Sequence, residues 1–415
     1  MIHLSKKEEC CGCSACVERC PKHCITFSED SEGFLYPSVD TDNCIDCGIC
    51  ESVCPFAHPD SARLPLKVLA AINIDEPVRL ASSSGGVFTS LAAKVIDQGG
   101  IVFGAEFEND WSVSIGYSET VEGLSKFRGS KYLQANAKSA FSKCEEFLKS
   151  GKEVLFSGSP CQIAGLKKYL RSDYGNLLTV DFVCHGVPSP KVWKLYLDEI
   201  VGAVRDHKNL SDYKFSLYED NGVTASIVSP FKSNDYMNAF LKNLILRPSC
   251  YHCKVRECRS MSDITIGDYW GIRNVCRDID DGKGTSLVML HTPKGLKSFN
   301  CTDIRSVETS FEDATASNPV IITSPSPCRS RACFFKKADT CRSVVRLIRK
   351  SIKSQLPFQR RIHTTAHNIK SALLQLKSPK IHAPVSNKTR PCNISFRFKG
   401  NSWKEYELKI DFKDQ

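Results

Sequence analysis

The sequence predicts a mixed α/β protein, an α+β body expected in two lobes behind a short cysteine-rich head. Two observations carry this. Residues 10–54 repeat one cysteine spacing, and from Val68 onward short apolar runs alternate with segments of helical periodicity. The totals agree, since a chain of 415 residues has room for two or three domains. A hydrophobic content of 41% and a charged content of 25% describe a globular protein able to bury sizeable cores. No apolar run approaches the length of a bilayer span and MIHLSKKEECC lacks a signal-type stretch, so the expected location is cytoplasmic. In a reducing compartment, 22 cysteines do not read as a disulfide framework, and metal is the leading reason for them.

The head comes first. Cys10-x2-Cys13-x2-Cys16-x3-Cys20-Pro21 returns as Cys44-x2-Cys47-x2-Cys50-x3-Cys54-Pro55. Duplicated C-x2-C-x2-C-x3-C-P is the bacterial two-cluster ferredoxin pattern, in which the fourth cysteine of each run serves the other cluster. Three thiolates on one tight loop take three corners of a cubane, and the last corner comes from a distant position. One 4Fe–4S cluster is therefore expected on Cys10, Cys13, Cys16 and Cys54, and a second on Cys20, Cys44, Cys47 and Cys50. A zinc knuckle also uses C-x2-C, but does not call for two complete runs each closed by proline. Cys11 and Cys24 fall outside the spacing and read as packing thiols. Clusters of this kind carry single electrons, so substrate chemistry must come from elsewhere in the chain.

Residues 1–60 form the expected head, and FAHPDSARLPLK reads as a linker. In the body, VLAAINI, IVFGAEF, SVSIGY, EVLFSG and NLLTVDFVC read as strands. Val87, Phe88, Leu91, Ala92, Val95 and Ile96 recur at helical spacing until Gly99-Gly100. TVEGLSKF, SAFSKCEEFLKSG and SPCQIAGLKKYL read as helical, and Ser189-Pro190 as the N-cap and first turn of another helix. The lobes are expected at 67–175 and 176–325, meeting near the strand after Asn176.

Several loops suggest chemistry. SSSGGVF (residues 82–88) puts hydroxyls and glycines at a helix amino terminus, where free N–H groups favour an anion such as a pyrophosphate; a plain glycine-rich turn fits equally well. DDGKGTS lacks P-loop spacing, which discounts an ATPase. Cys161 lies just inside a helix start, where the dipole favours a thiolate. Cys184 ends a strand, Cys250 and Cys253 form a C-x2-C pair, and Cys258 follows. Four of these could hold a third cluster from separated loops; taken singly they read as unconnected buried cysteines. Cys144, Cys276, Cys301, Cys328, Cys333, Cys341 and Cys392 show no spacing logic.

Taken together and in order, SSSGGVFTSLA, FRGSKYLQ, GKEVLFSGSPCQIAGLKKYL, LLTVDFVCHGVPSPKVW, LRPSCYHCKVR and SDITIGDYWGI resemble the coenzyme F-420 hydrogenase/dehydrogenase beta-subunit family. The resemblance runs from about Cys10 to about Val320. It implies a flavin-binding body with FAD and a further 4Fe–4S cluster beside it. Carried onto this chain, FAD would lie against Ser84, Gly85, Gly86 and Val87, with Arg128, Ser130 and Lys131 nearby. The third cluster would draw on Cys161, Cys184, Cys250 and Cys253, with Cys258 able to replace one of them. Members with a fused ferredoxin head are flavoproteins, and the family includes deazaflavin-oxidising subunits of archaeal hydrogenases and formate dehydrogenases and reductases of chlorophyll intermediates.

The expected activity is electron transfer between clusters and FAD, coupled to hydride transfer with a small-molecule substrate and a redox partner protein or small electron carrier. An adaptor subunit feeding a separate catalytic protein is the alternative. Lys131 and His185 are candidate proton donors, although a histidine beside a ligand cysteine more often orients its neighbour by a hydrogen bond.

Charge separates the tail from the body. Residues 342–380 hold ten Lys/Arg and no Asp or Glu, which accounts for the net +10. The basic helical tail is expected at 340–380. Its stripe of Val345, Ile348, Ile352 and Leu356 suits either peripheral membrane contact or packing on the body. Without interleaved aromatics it predicts no nucleic-acid binding. Residues 391–413 alternate around Gly-Asn and read as a hairpin.

Overall fold

The computed structural model describes residues 1–204, 214–219, 234–353, 393–398 and 406–409. In the head, β1 (Ile25–Glu29) and β2 (Leu35–Val39) pair antiparallel, with Ile25 opposite Val39. The two cysteine runs share a backbone rhythm. Gly12 and Asp46 have φ of 71° and 48°, and Ser14 and Gly48 have φ of 77° and 70°. These are equivalent positions of the repeat, and each loop leads into a one-turn helix, Ala15–Arg19 or Ile49–Ser52. Left-handed residues of this kind turn successive N–H groups inward around the enclosed thiols.

The body is built on one sheet of eight strands. These are β3 (Lys67–Asn73), β4 (Ile101–Phe107), β5 (Val113–Ser118), β6 (Val154–Ser157), β7 (Leu177–Phe182), β9 (Ile264–Asp268), β10 (Ser286–Leu290) and β11 (Ile304–Thr309), in the order β11-β3-β10-β9-β7-β6-β4-β5. The central strands β4, β6, β7 and β9 run parallel, and both margins are antiparallel. All five strands expected in the body's first half are present. The sheet continues across Asn176, the expected meeting point of the lobes, because β6 and β7 pair directly there. A separate three-stranded sheet joins β8 (Lys214–Glu219) to β12 (Asn393–Phe398) and β13 (Tyr406–Lys409). Strands β12 and β13, which fall in the expected hairpin, pair antiparallel.

Burial shows how the parts join. One apolar cluster unites Cys13, Ala15, Val53 and Phe56 of the head with Phe141, Ile163, Leu166 and Val255 of the body. The linker is likewise tied down: Arg63 N–H donates to Glu257 O at 3.2 Å, and Leu66 N–H to Leu290 O at 2.7 Å. A second core is helical and gathers Trp193, Tyr236, Phe240, Phe334, Val344 and Ile348.

That second core decides between the two readings of the basic helix. In Val344–Lys353, Val344 and Ile348 are buried against the helices around Trp193 and Tyr236, and Val345 and Ile352 pack at the margin. Arg349 pairs with Asp235 at 2.8 Å. The apolar stripe is therefore covered by protein, which corrects the expectation of membrane contact through this face; Leu356 lies outside the described residues. No helix among the described residues is long and apolar enough to cross a membrane.

Candidate functional site

The thiols of the head gather in two adjoining groups. Cys10, Cys13, Cys16 and Cys54 line one small buried cavity of about 20 Å³, together with Cys11, Leu4 and Phe27. Cys54 comes from the second run and the other three from the first. Cys20 packs with Cys50 and Cys44 in a second group, which Cys16 also joins. Cys47 is exposed on its loop. Cys24, expected as a packing thiol, stands 3.4 Å from Cys20 Sγ inside that second group. Among the described residues no three His, Cys, Asp or Glu side chains converge as a single ion requires. A cubane's ligands instead surround a whole cube of iron and sulfide. Burial raises the Cys10 and Cys16 thiols and pushes Cys54 up to about 11, so metal must displace protons to bind there.

Strand direction builds the next part. The carboxyl ends of parallel β6, β7 and β9 open on one side of the sheet, where ligands of α/β proteins gather. Cys161 follows β6 in the first turn of the Pro160–Leu170 helix, whose start is closed by a Ser159/Gln162 capping box. Cys184 follows β7. Cys250 sits in the short turn Pro248–His252, and Cys253 ends it. All four line one cavity of about 60 Å³, so these separated loops converge.

Two further thiols, Cys258 and Cys11, line the same cavity. Burial raises Cys184 and Cys253 and pushes Cys250 and Cys258 up to about 12. Cys161 moves the other way, to about 7, chiefly through a hydrogen bond from the Cys11 thiol. Cys11, expected only to pack, is thus a neighbour of the body thiols. Of the cysteines without spacing logic, Cys144 and Cys328 are buried, and Cys392 lies outside the described residues.

Beside this cavity opens a cleft of about 550 Å³, within the usual range for small-molecule sites. It is lined by Ser84, Gly86, Val87, Arg128, Ser130 and Lys131 from the expected flavin set. Gly85 is not on the wall. A Cβ there would meet Ala71 O at 2.3 Å and Ser286 N at 2.7 Å, so Gly85 lets the loop press against β3 and β10. Gly86, at φ 82°, caps the Val87–Asp97 helix without a side-chain hydrogen bond, leaving that helix start free towards the cleft. The Ser130 N–H donates to Ser83 Oγ at 2.8 Å and joins the two loops. Arg128 Nε is buried with no hydrogen-bond partner. An unpaired buried guanidinium N–H next to a free helix start fits a phosphate-bearing group such as FAD.

Lys131 and His185 differ from simple proton donors. Lys131 Nζ donates to the Lys126 and Arg128 carbonyls, both at 2.8 Å, and burial lowers its amine to about 7. His185 Nε2 meets Asn243 Oδ1 at 2.7 Å and its ring packs on Phe240, while burial holds its pKa down. Its ring thus engages Asn243 and Phe240 rather than its neighbour Cys184.

Three residues escaped sequence reasoning. Gln134 lines the cleft and reaches Cys11 O at 3.2 Å, Trp270 stands 54% exposed at the rim, and Arg247 is fully buried between head and body. Trp270 lies in SDITIGDYWGI and Arg247 in LRPSCYHC, so both belong to motifs that carry the family resemblance. A lone aromatic or arginine has no spacing to mark it.

A cysteine-rich dicluster head fused to a parallel-centred α/β body, with thiols at its strand ends, is the arrangement of an iron–sulfur protein. Comparisons with known proteins make the class specific. Residues 151–313 match the family model for the carboxyl-terminal part of the coenzyme F420 hydrogenase/dehydrogenase beta subunit, and residues 9–58 match that for the 4Fe-4S dicluster domain. The chain therefore joins a carboxyl-terminal region similar to that beta subunit's to a dicluster ferredoxin head.

Over 324 residues it is 25% identical to a coenzyme F420-dependent sulfite reductase of Methanocaldococcus jannaschii, covering 71% of this chain and 46% of that one. The head alone is 48% identical over 52 residues to a 7Fe ferredoxin of Hydrogenibacillus schlegelii, covering 12% of this chain and 60% of the ferredoxin. A chain of the F420-reducing [NiFe] hydrogenase complex from Methanosarcina barkeri aligns with a TM-score of 0.43 and 17% identity, over 71% of this chain and 93% of that one. The chain spans about half the length of the two longer curated relatives it matches.

Proposed function

We propose that the chain is an iron–sulfur flavoprotein that moves electrons between 4Fe–4S clusters and FAD, coupled to hydride transfer to or from a small organic molecule or coenzyme. The observation that carries this reading is adjacency: Cys11 lines the head cavity, the body-thiol cavity and the cleft, so the three lie in series. A bound flavin exchanges both single electrons and hydride, the conversion that clusters alone do not supply.

In this reading each set of residues has a defined task. Cys10, Cys13, Cys16 and Cys54 hold one head cluster, and Cys20, Cys44, Cys47 and Cys50 the other. Cys161, Cys184, Cys250 and Cys253 hold the third. The helix start at Gly86 and Val87 and the unpaired Arg128 Nε receive the phosphates, Ser84 and Ser130 flank them, and Lys131 keeps the 126–131 loop closed. The exposed loop bearing Cys47 and Ile45, the latter 58% exposed, is where a redox partner protein or small carrier docks. The name of the sulfite reductase relative makes the deazaflavin coenzyme the first small molecule to test, ahead of nicotinamide nucleotides.

The test is iron, sulfide and flavin per chain in anaerobically reconstituted protein, alongside Arg128→Gln. About twelve irons and one FAD are expected, with flavin lost but iron kept in Arg128→Gln. About eight irons and no flavin would replace this reading with an adaptor that only carries electrons.

A further inference from the structure

Arg247 is the largest fully buried side chain among the described residues, at 0% exposure. A guanidinium removed from water needs a counter-charge, and burying it without one is severely unfavourable. Yet among the described residues no carboxylate lies within ion-pair distance of it. What surrounds it is the first cysteine loop of the head. Nε donates to Cys10 O at 2.8 Å, Nη2 to Leu35 O at 2.8 Å, and Nη1 to Gln134 Oε1 at 3.0 Å. Nη2 also approaches Cys10 Sγ at 3.6 Å, a sulfur that already accepts from Gly12 N–H at 3.4 Å. The guanidinium lies over the Tyr36 ring at 4.4 Å and the Phe34 ring at 5.4 Å, both at the start of β2. Gly12 makes room for it, since a Cβ there would come 2.9 Å from Nη1.

The backbone of the same residue belongs to the body's thiol site. Arg247 N–H donates to Val187 O, and Cys250 N–H donates to Arg247 O, both at 2.9 Å. Arg247 therefore opens the turn that carries Cys250 while its side chain reaches Cys10. It bridges a thiol of the head and a thiol-bearing turn of the body.

We propose that Arg247 is a positioning residue that raises the reduction potential of the head cluster ligated by Cys10. This rests on the reading of Cys10, Cys13, Cys16 and Cys54 as one 4Fe–4S site. The missing counter-charge is the set of cysteine thiolates, which carries its full negative charge once the cluster is bound. A cluster gains one more negative charge on reduction. A nearby buried cation and an N–H···S bond stabilise that state more than the oxidised one, and net charge and sulfur hydrogen bonds are what set such potentials.

The experiment is a redox titration of reconstituted full-length protein, followed by EPR of the reduced clusters, with iron counted in each sample. Wild type is compared with Arg247→Gln, Arg247→Lys and Gln134→Glu. In Arg247→Gln, one head potential is expected to fall by at least a tenfold change in the reduction equilibrium, about 59 mV for one electron. Arg247→Lys, which keeps the charge and loses the fork, is expected to recover part of that fall. Gln134→Glu sets a carboxylate against Nη1 without removing the arginine, and is expected to shift the same potential downward. It decides the matter if Arg247→Gln fails to hold iron. Unchanged potentials in iron-replete Arg247→Gln, or in Gln134→Glu, would overturn the role of Arg247. A wild type with no 4Fe–4S signal would instead overturn the cluster reading beneath it.

Discussion

Burial lowers the Lys131 amine to about 7, while the unfolded chain keeps an ordinary lysine. Between about pH 7 and 10 the unfolded state thus binds the extra proton, so stability rises with pH across that window and levels off above it. Lys131→Met is expected to remove this slope, leaving a denaturation midpoint that changes less from pH 7 to 10 than in wild type. A variant that keeps the full slope would show that Lys131 is charged in the folded protein. The residue also marks a boundary of sequence reading. RGSK was legible as a basic loop, but its lysine is held by two carbonyls of its own loop, and only packing reveals that. Cys11 and Cys24 teach the same lesson. Outside the repeat spacing they looked idle, yet each stands among thiols brought in from other segments.

At the scale of the element, the SSSGG loop combines two glycines with different work. Gly86 needs its left-handed φ of 82°, for which a side chain costs about 1 kcal/mol. Gly85 needs space, because its would-be Cβ meets backbone of both β3 and β10. Gly85→Ala is therefore expected to destabilise the protein by about 3 kcal/mol or more and Gly86→Ala by less, as read from urea unfolding. Equal losses would mean that the loop yields by moving away from the sheet. The apolar run of β3 and the helical periodicity of Val87–Asp97 were both legible in the sequence. Periodicity is blind to the close approach of two backbones, and so Gly85 was expected to touch a ligand.

Across the whole molecule the head is docked, not tethered. Arg331 and Glu32 form a two-pronged ion pair, 13% and 14% exposed, between the Arg331–Ala338 helix and the tip of the head hairpin. Ser189 Oγ and Lys191 Nζ donate to carbonyls of the same tip. Arg331→Met leaves Glu32 half-desolvated and alone, and is expected to cost about 3 kcal/mol. A denaturant midpoint unchanged from wild type would show that the apolar contacts around Phe56 and Ile163 hold the head without this pair.

The head's cysteine spacing was sufficient to name a dicluster ferredoxin domain, because metal ligands on one tight loop obey a local geometry. Local periodicity was likewise sufficient for the strands and helices of the sheet's first half. The long-range facts came from folding. Cys161 and Cys184 meet because parallel β6 and β7 end on one side of a sheet, and the turn at 248–253, which precedes β9, brings Cys250 and Cys253 to them, a matter of tertiary arrangement that no local window contains. The basic helix suited either a membrane or the body, and its apolar stripe packs on the Trp193 and Tyr236 core. Arg247 lay in a resemblance motif but had no spacing of its own to mark a role. Its meaning lies in a buried charge whose surrounding partners are a loop 237 positions away, and that proximity exists only after head and body close on each other.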